Sequence, residues 1–443
     1  MKIQLSEHFT YKKMIQFVLP SIVMMIFTSI YGVIDGLFVS NFVGKTAFAA
    51  INLIMPLLMG LSALGFMIGT GGSAIVSKAL GEGRRDLANQ YFSMLVYVSI
   101  TGGIILAVTG MFLLRPIALL LGASGELIEL CVLYGRILLV SLTAFLLQNV
   151  FQSFFVTAEK PQLGLKVTIA AGLTNIVLDY LFIAVFRWGI AGAAVATAIS
   201  ETVGGLFPIL YFARKNESLL QLVKAPLDVR ALGKACANGS SELMTNLSMS
   251  IVNSLYNLQL ISIAGENGVA AYGTIMYVNF IFIAIFLGYS IGSAPIIGYH
   301  YGAGSHDELK NLLRMSLSIV GICGILLILL AQIMAAPLAG IFVGYDSELE
   351  AVTCHGFRLY AVSFLICGFN IFGSAFFTAL GNGIVSAAIS FLRTLVFQTA
   401  VLLTLPLILG INGIWLAMAV AEALTLIITV WFLVNRRKQY HYA

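Results

Sequence analysis

The run MIQFVLPSIVMMIFTSIYGVIDGLFVS, residues 14–40, contains a single ionisable side chain, Asp35. A helix needs about 20 apolar residues to cross a hydrocarbon core, so this run reads as a membrane span with a carboxyl group inside it. On insertion scales such an acid costs about 2.5–3.5 kcal/mol, so it is expected to face protein or water. Asp35 is therefore the first functional candidate; the plainer alternative is a structural acid bonded to a neighbouring hydroxyl. Pro20, earlier in the run, lacks a backbone donor and marks where the helix can bend.

The rest of the chain has the same character: 443 residues, 60% hydrophobic, 10% charged, mean hydropathy +0.99. Soluble chains carry about 25% charged residues, so an integral membrane protein is expected. The apolar runs are too long for the alternating strands of a barrel, which leaves an all-α fold. Breaks at charged, Gly, Pro and Asn residues predict twelve helices, near 14–40, 47–77, 88–114, 127–157, 162–186, 190–213, 235–264, 269–299, 310–336, 349–379, 384–408 and 412–435. Most of the 24 Lys and Arg, among them Lys2, Lys12, Lys13, Arg84, Arg85, Arg214, Lys215, Arg436 and Arg437, fall on one side of these spans. The positive-inside rule makes that side, with both termini, cytoplasmic. The first span lacks a small-residue cleavage site and is expected to be retained. The five cysteines are scattered without CxxC spacing and read as packing residues.

The function classes this composition removes are broad. Gly69-Thr70-Gly71-Gly72-Ser73-Ala74 mimics a dinucleotide loop, but no strand precedes it. No P-loop or HExxH occurs, and Gly288-Tyr289-Ser290-Ile291-Gly292 matches GxSxG only inside an apolar span that lacks the strand–turn–helix context of that motif, so neither ATP-driven transport nor a familiar hydrolase is expected. The net charge of +5 is accounted for by topology and needs no nucleic acid.

The chain also repeats itself. An offset of 221 pairs Gly44 with Gly265, Gly81 and Gly83 with Gly302 and Gly304, Asn149 with Asn370, Thr157 with Thr378, Gly189 with Gly410, and Glu201 with Glu422. Two copies of six helices have the same orientation, which relates them by an axis along the membrane normal. The expected domains are residues 1–213, a cytoplasmic linker at 214–234, and residues 235–443. Paired bundles of this kind suit alternating access around a cavity between them.

A second acid lies within a span at Asp179, and Asn175 shares its helical face one turn earlier. With Thr197 and Tyr134 on neighbouring spans and Asp35 on the first, this is a hard-oxygen set suited to Na⁺ or to a proton shared by two acids. Structural hydrogen bonding is the simpler reading of Asn175 and Asp179, and is preferred for Tyr134 and Thr197 taken singly. Glu201 and Glu422 are expected to do one structural job in each half. Glu242 reads as a helix-start acid, Arg136 and Arg358 as snorkelling residues, and Arg393 has no assigned partner. Tyr256, Met276, Tyr277 and Phe280 offer a soft aromatic lining for apolar cations, although packing residues share that composition.

These residues resemble the multidrug and toxic compound extrusion (MATE) family along essentially the whole chain, with greatest similarity to its MepA-like bacterial exporters. The resemblance rests on twelve spans in two copies, Pro20 and Asp35 in the first helix, the Gly81-Glu82-Gly83 turn, and Asn175-x-x-x-Asp179 in the fifth. It implies secondary active efflux of mostly cationic amphipathic drugs in exchange for H⁺ or Na⁺, hence antibiotic resistance. It also implies a cation site at Asp35, Asn175, Asp179 and Thr197, with Tyr134 adjacent, and no other cofactor. A monomer in the bacterial cytoplasmic membrane is expected, and not an enzyme. Acids of the kind NorM-like members carry in the second half are missing from spans 8 and 11, and span 10 has only Glu350, at its very start. A lipid-linked oligosaccharide flippase of related architecture, or an uncoupled channel or scaffold, are the alternatives.

Overall fold

The computed structural model describes residues 3–442, apart from the side chains of Leu37, Ser40, Asn41, Lys45 and Phe48; Lys2 lies outside the described residues. Among them the secondary structure is wholly helical. The helices are α1 (Tyr11–Phe42), α2 (Lys45–Gly81), α3 (Arg85–Leu120), α4 (Glu126–Thr157), α5 (Pro161–Val185), α6 (Gly189–Ala213), α7 (229–264), α8 (266–302), α9 (His306–Val343), α10 (Ser347–Ala379), α11 (Gly383–Leu409) and α12 (Ile411–Tyr440). Polar residues set several starts. Thr10 accepts from the Lys13 amide before α1, and Asp228 accepts from the amides of Arg230 and Ala231 before α7.

The backbone of α7 and α8 is continuously helical over 74 residues except at Gly265, where φ is 62°. A straight helix of that length would run about 110 Å. The chain instead reverses at Gly265: the Tyr256 and Tyr272 rings, on either side of it, stack with centroids 4.7 Å apart. Among the described residues eleven helical stretches are long and apolar enough to span a membrane, and this one counts twice, giving twelve. Gly265 and its repeat mate Gly44 both take positive φ at these reversals, a region open to glycine at little cost.

Two readings of this region change. Because Asp228 caps α7, that helix begins at Val229 and the linker ends earlier than the composition implied. Glu242 accordingly sits well inside α7 and is no helix-start acid. The linker is held against α3: the amides of Gln221 and Val223 donate to Asn89 Oδ1 and Ser93 Oγ, at 3.0 and 2.9 Å.

The two halves touch along their basic end. A Cβ on Gly71 would lie 1.9 Å from the Ala235 carbonyl oxygen, one on Gly239 1.8 Å from that of Met67, and one on Gly81 1.9 Å from that of Tyr299. Gly288 and Gly292 likewise bring α8 onto the backbone of α1 at Ile22 and Val18. Small residues here let helices pack backbone to backbone. Towards the opposite end a Cβ on Gly32, Gly36 or Gly273 would meet nothing within 4 Å. The closest backbone contacts between the lobes are thus at the basic end.

The N-terminal segment ties the basic end together. Leu5 N–H donates to Glu159 Oε1 at the end of α4 over 2.7 Å, while Phe9 N–H donates to Glu308 Oε1 on α9 over 2.9 Å. His8 Nδ1 lies 2.6 Å from Glu308 Oε2, and the Leu5 and Phe9 side chains are fully buried.

Candidate functional site

Asp35 lies in the non-basic half of α1, and Asp179 ends the regular part of α5, where a π-helical turn, Tyr180–Val185, begins. Such turns recur at functional sites because they rotate side chains out of α register. The helices come together closely: a Cβ on Gly172 of α5 would stand 2.5 Å from Phe27 Cε1 and 2.8 Å from Tyr31 Cδ1 of α1. The result is that the carboxyl groups of Asp35 and Asp179 lie within hydrogen-bonding reach of each other. Asp179 is fully buried, and Asp35 Oδ1 and both Asp179 oxygens take no donor from the described residues.

Buried polar atoms normally find partners. Two facing carboxyls satisfy each other by sharing a proton, or by holding a small cation between them. The orphaned oxygens therefore fit H⁺ or Na⁺. Asn175, also buried, directs its amide nitrogen to Thr197 Oγ1 over 3.5 Å, so these two form one wall beside the pair. Tyr134 is buried close enough to feel the charge of both acids, but its hydroxyl points to the Met55 sulfur, 3.9 Å away. The structure thus brings Asp35 and Asp179 together and sets Asn175 and Thr197 as a pair, with Tyr134 adjacent and turned aside. Pro20 is buried within α1, which stays helical through it.

The aromatic residues proposed for a cavity divide. Tyr277 and Phe280 are half-exposed on α8, and Met276 is partly buried beside them. Tyr256 has no exposed surface; it is stacked on Tyr272 inside the C-terminal core and lines no cleft in this structure. A periodicity argument cannot separate the face of α7 that meets protein from the one that meets a cavity.

Three acids outside this set find different surroundings. Glu422 on α12 accepts from Arg393 Nε and from Asn370 Nδ2, both at 2.7 Å, and Asn370 Oδ1 in turn accepts from Thr429. This supplies the partner of Arg393 that sequence spacing left open. Glu201 on α6 has one hydrogen-bond partner among the described residues, Ser141 Oγ, at 2.6 Å. Glu242, half-buried on α7, lies within electrostatic reach of Arg393. Arg136 and Arg358 are exposed, as snorkelling requires.

Comparison with known proteins agrees with this architecture. The MatE family model matches twice, over residues 20–181 and 243–404, so the copies inferred from internal offsets are seen again. The chain is 25% identical over 436 residues to the multidrug export protein MepA of Staphylococcus haemolyticus, covering 98% of this chain and 95% of that one. It is 24% identical over 417 residues to MepA of Staphylococcus aureus strain MRSA252, covering 94% and 91%. An outward-facing multidrug resistance MATE family transporter of the MOP superfamily superposes with a TM-score of 0.93 at 23% identity, over 100% of this chain and 99% of that one. With twelve helices in two copies and both copies matched by one model, the chain belongs to the MatE family of multidrug efflux transporters.

Proposed function

We propose that this protein exports amphipathic, mostly cationic compounds in exchange for H⁺ or Na⁺, by alternating access between its two lobes. The observation that carries this reading is the Asp35–Asp179 pair with its buried, orphaned oxygens, set in the half of the molecule away from the close backbone contacts of the basic end. A cation entering from that side meets the pair directly. Its binding removes the repulsion between two carboxylates and changes what α1 and α5 cost to hold together. Bending of α1 at Pro20 then gives the lobes a way to exchange which end is closed. The basic, closed end faces the cytoplasm in this reading, with both termini inside the bacterial cytoplasmic membrane and the chain acting as a monomer without ATP.

One charge moving down 100 mV yields about 2.3 kcal/mol, more than the ~1.4 kcal/mol that tenfold accumulation of a neutral drug needs, whereas one-for-one exchange with a monovalent cationic drug draws only on the ion's concentration gradient. The relatives named as multidrug export proteins support the substrate class. A flippase for pyrophosphate-linked sugars calls for a cationic cavity, whereas the orphaned groups here are acids. Ethidium uptake into everted vesicles, with Na⁺ and pH gradients imposed separately, tests the reading. Uptake driven by one gradient supports it; uptake indifferent to both points to an uncoupled channel and overturns it.

A further inference from the structure

The internal repeat allows the two lobes to be read against each other, and they treat the same acid differently. Glu422 is answered by the Arg393 guanidinium and the Asn370 amide. The offset of 221 puts Gly172 where Arg393 stands and Asn149 where Asn370 stands. No cationic side chain fits at Gly172, because Phe27 and Tyr31 already fill the space its Cβ would enter. Asn149 spends its amide on the Ser62 carbonyl, 3.3 Å away. Among the described residues Glu201 is therefore a buried acid, 8% exposed, with no cationic side chain paired to it.

Its one partner sharpens the point. Ser141 Oγ lies 2.6 Å from Glu201 Oε2 and 3.0 Å from the Leu138 carbonyl oxygen. A hydroxyl has one hydrogen, and both oxygens beside it are acceptors if Glu201 is ionised. Both contacts are satisfied together when Ser141 donates to Leu138 and Glu201 itself donates to Ser141. The hydrogen count thus favours a protonated Glu201.

Ser141 of α4 is its hydrogen-bond partner, and Tyr31 and Asp35 from α1 and Tyr134 from α4 are near enough to act on its charge. We propose that Glu201 is a second proton-binding site of the N-terminal lobe, linked to the Asp35–Asp179 pair through their shared field. This rests on the coupled-transport reading above. When a cation neutralises the pair, the negative charge opposing ionisation of Glu201 falls. The O–H bond of Glu201 breaks, the proton leaves to water in the cleft, and a carboxylate remains accepting from Ser141.

The full-length protein, purified in detergent, is titrated with ethidium or with Na⁺ alone while proton release is measured in weak buffer. Wild type is expected to release protons, and Glu201→Gln to release about one fewer while still binding ethidium, with Glu201→Asp restoring the loss. Should Glu201→Gln fail to fold, infrared difference spectra decide: the protonated-carboxyl band shifts in Glu201→Asp if residue 201 bears the proton. Equal release from Glu201→Gln and wild type, or a band unmoved in Glu201→Asp, overturns the inference. So does a wild type that releases no proton, although gradient-driven ethidium uptake would then leave the transport reading standing.

Discussion

Arg393 Nε donates to Glu422 Oε1 over 2.7 Å, joining α11 to α12 through a pair whose side chains are 11% and 1% exposed. Breaking a buried pair from one side leaves an uncompensated charge, which costs about 3–5 kcal/mol. Arg393→Met is expected to lower stability by that order in denaturant titrations in detergent. Adding Glu422→Gln to it should recover much of the loss, since the charge left behind is gone. A single variant as stable as wild type would mean that the pair contributes nothing.

The backbone approach of α2 to α7 gives a second expectation. Gly239 faces the Met67 carbonyl with no room for a side chain, so Gly239→Val must push the lobes apart at the basic end. Cys236, half-buried on the same stretch of α7, is a native reporter. Its rate of thiol labelling should rise about tenfold, equivalent to about 1.4 kcal/mol of lost closure. The buried Cys131, within the N-terminal lobe, should stay slow.

The N-terminal segment holds both lobes at that end, through Glu159 on one and Glu308 on the other. Glu308→Ala removes the acceptor of the Phe9 amide and the partner of His8. Leaving a buried donor unsatisfied costs about 1–3 kcal/mol. Faster Cys236 labelling in Glu308→Ala, with the helices intact by circular dichroism, is the expected result. Unchanged labelling would show that the segment does not bear on closure.

The fold was legible in the sequence because long apolar runs must form internally bonded helices in lipid, and the repeat placed Gly265 as the mate of a turning Gly44. Asp35 and Asp179 were legible as candidates, since carboxyls within such runs are few, but that they face each other was not. What the chain did not disclose depends on which helix faces meet. Arg393 found Glu422 only once α11 and α12 lay side by side. Tyr256 turned into the core because apolar residues look alike whether they meet lipid, protein or a cleft. The N-terminal segment carries no motif, and its role came from backbone amides rather than side-chain pattern. The equivalence expected of Glu201 and Glu422 held in position but not in surroundings, for the space matching Arg393 is taken by α1.

The central claim is that the Asp35–Asp179 pair takes up and releases the driving cation. Asp35→Asn and Asp179→Asn keep side-chain size while removing one charge each. Everted vesicles with matched amounts of inserted protein, energised with a Na⁺ or pH gradient, should show ethidium accumulation at least about tenfold lower in either variant. Accumulation by Asp35→Asn at the wild-type level would contradict the account.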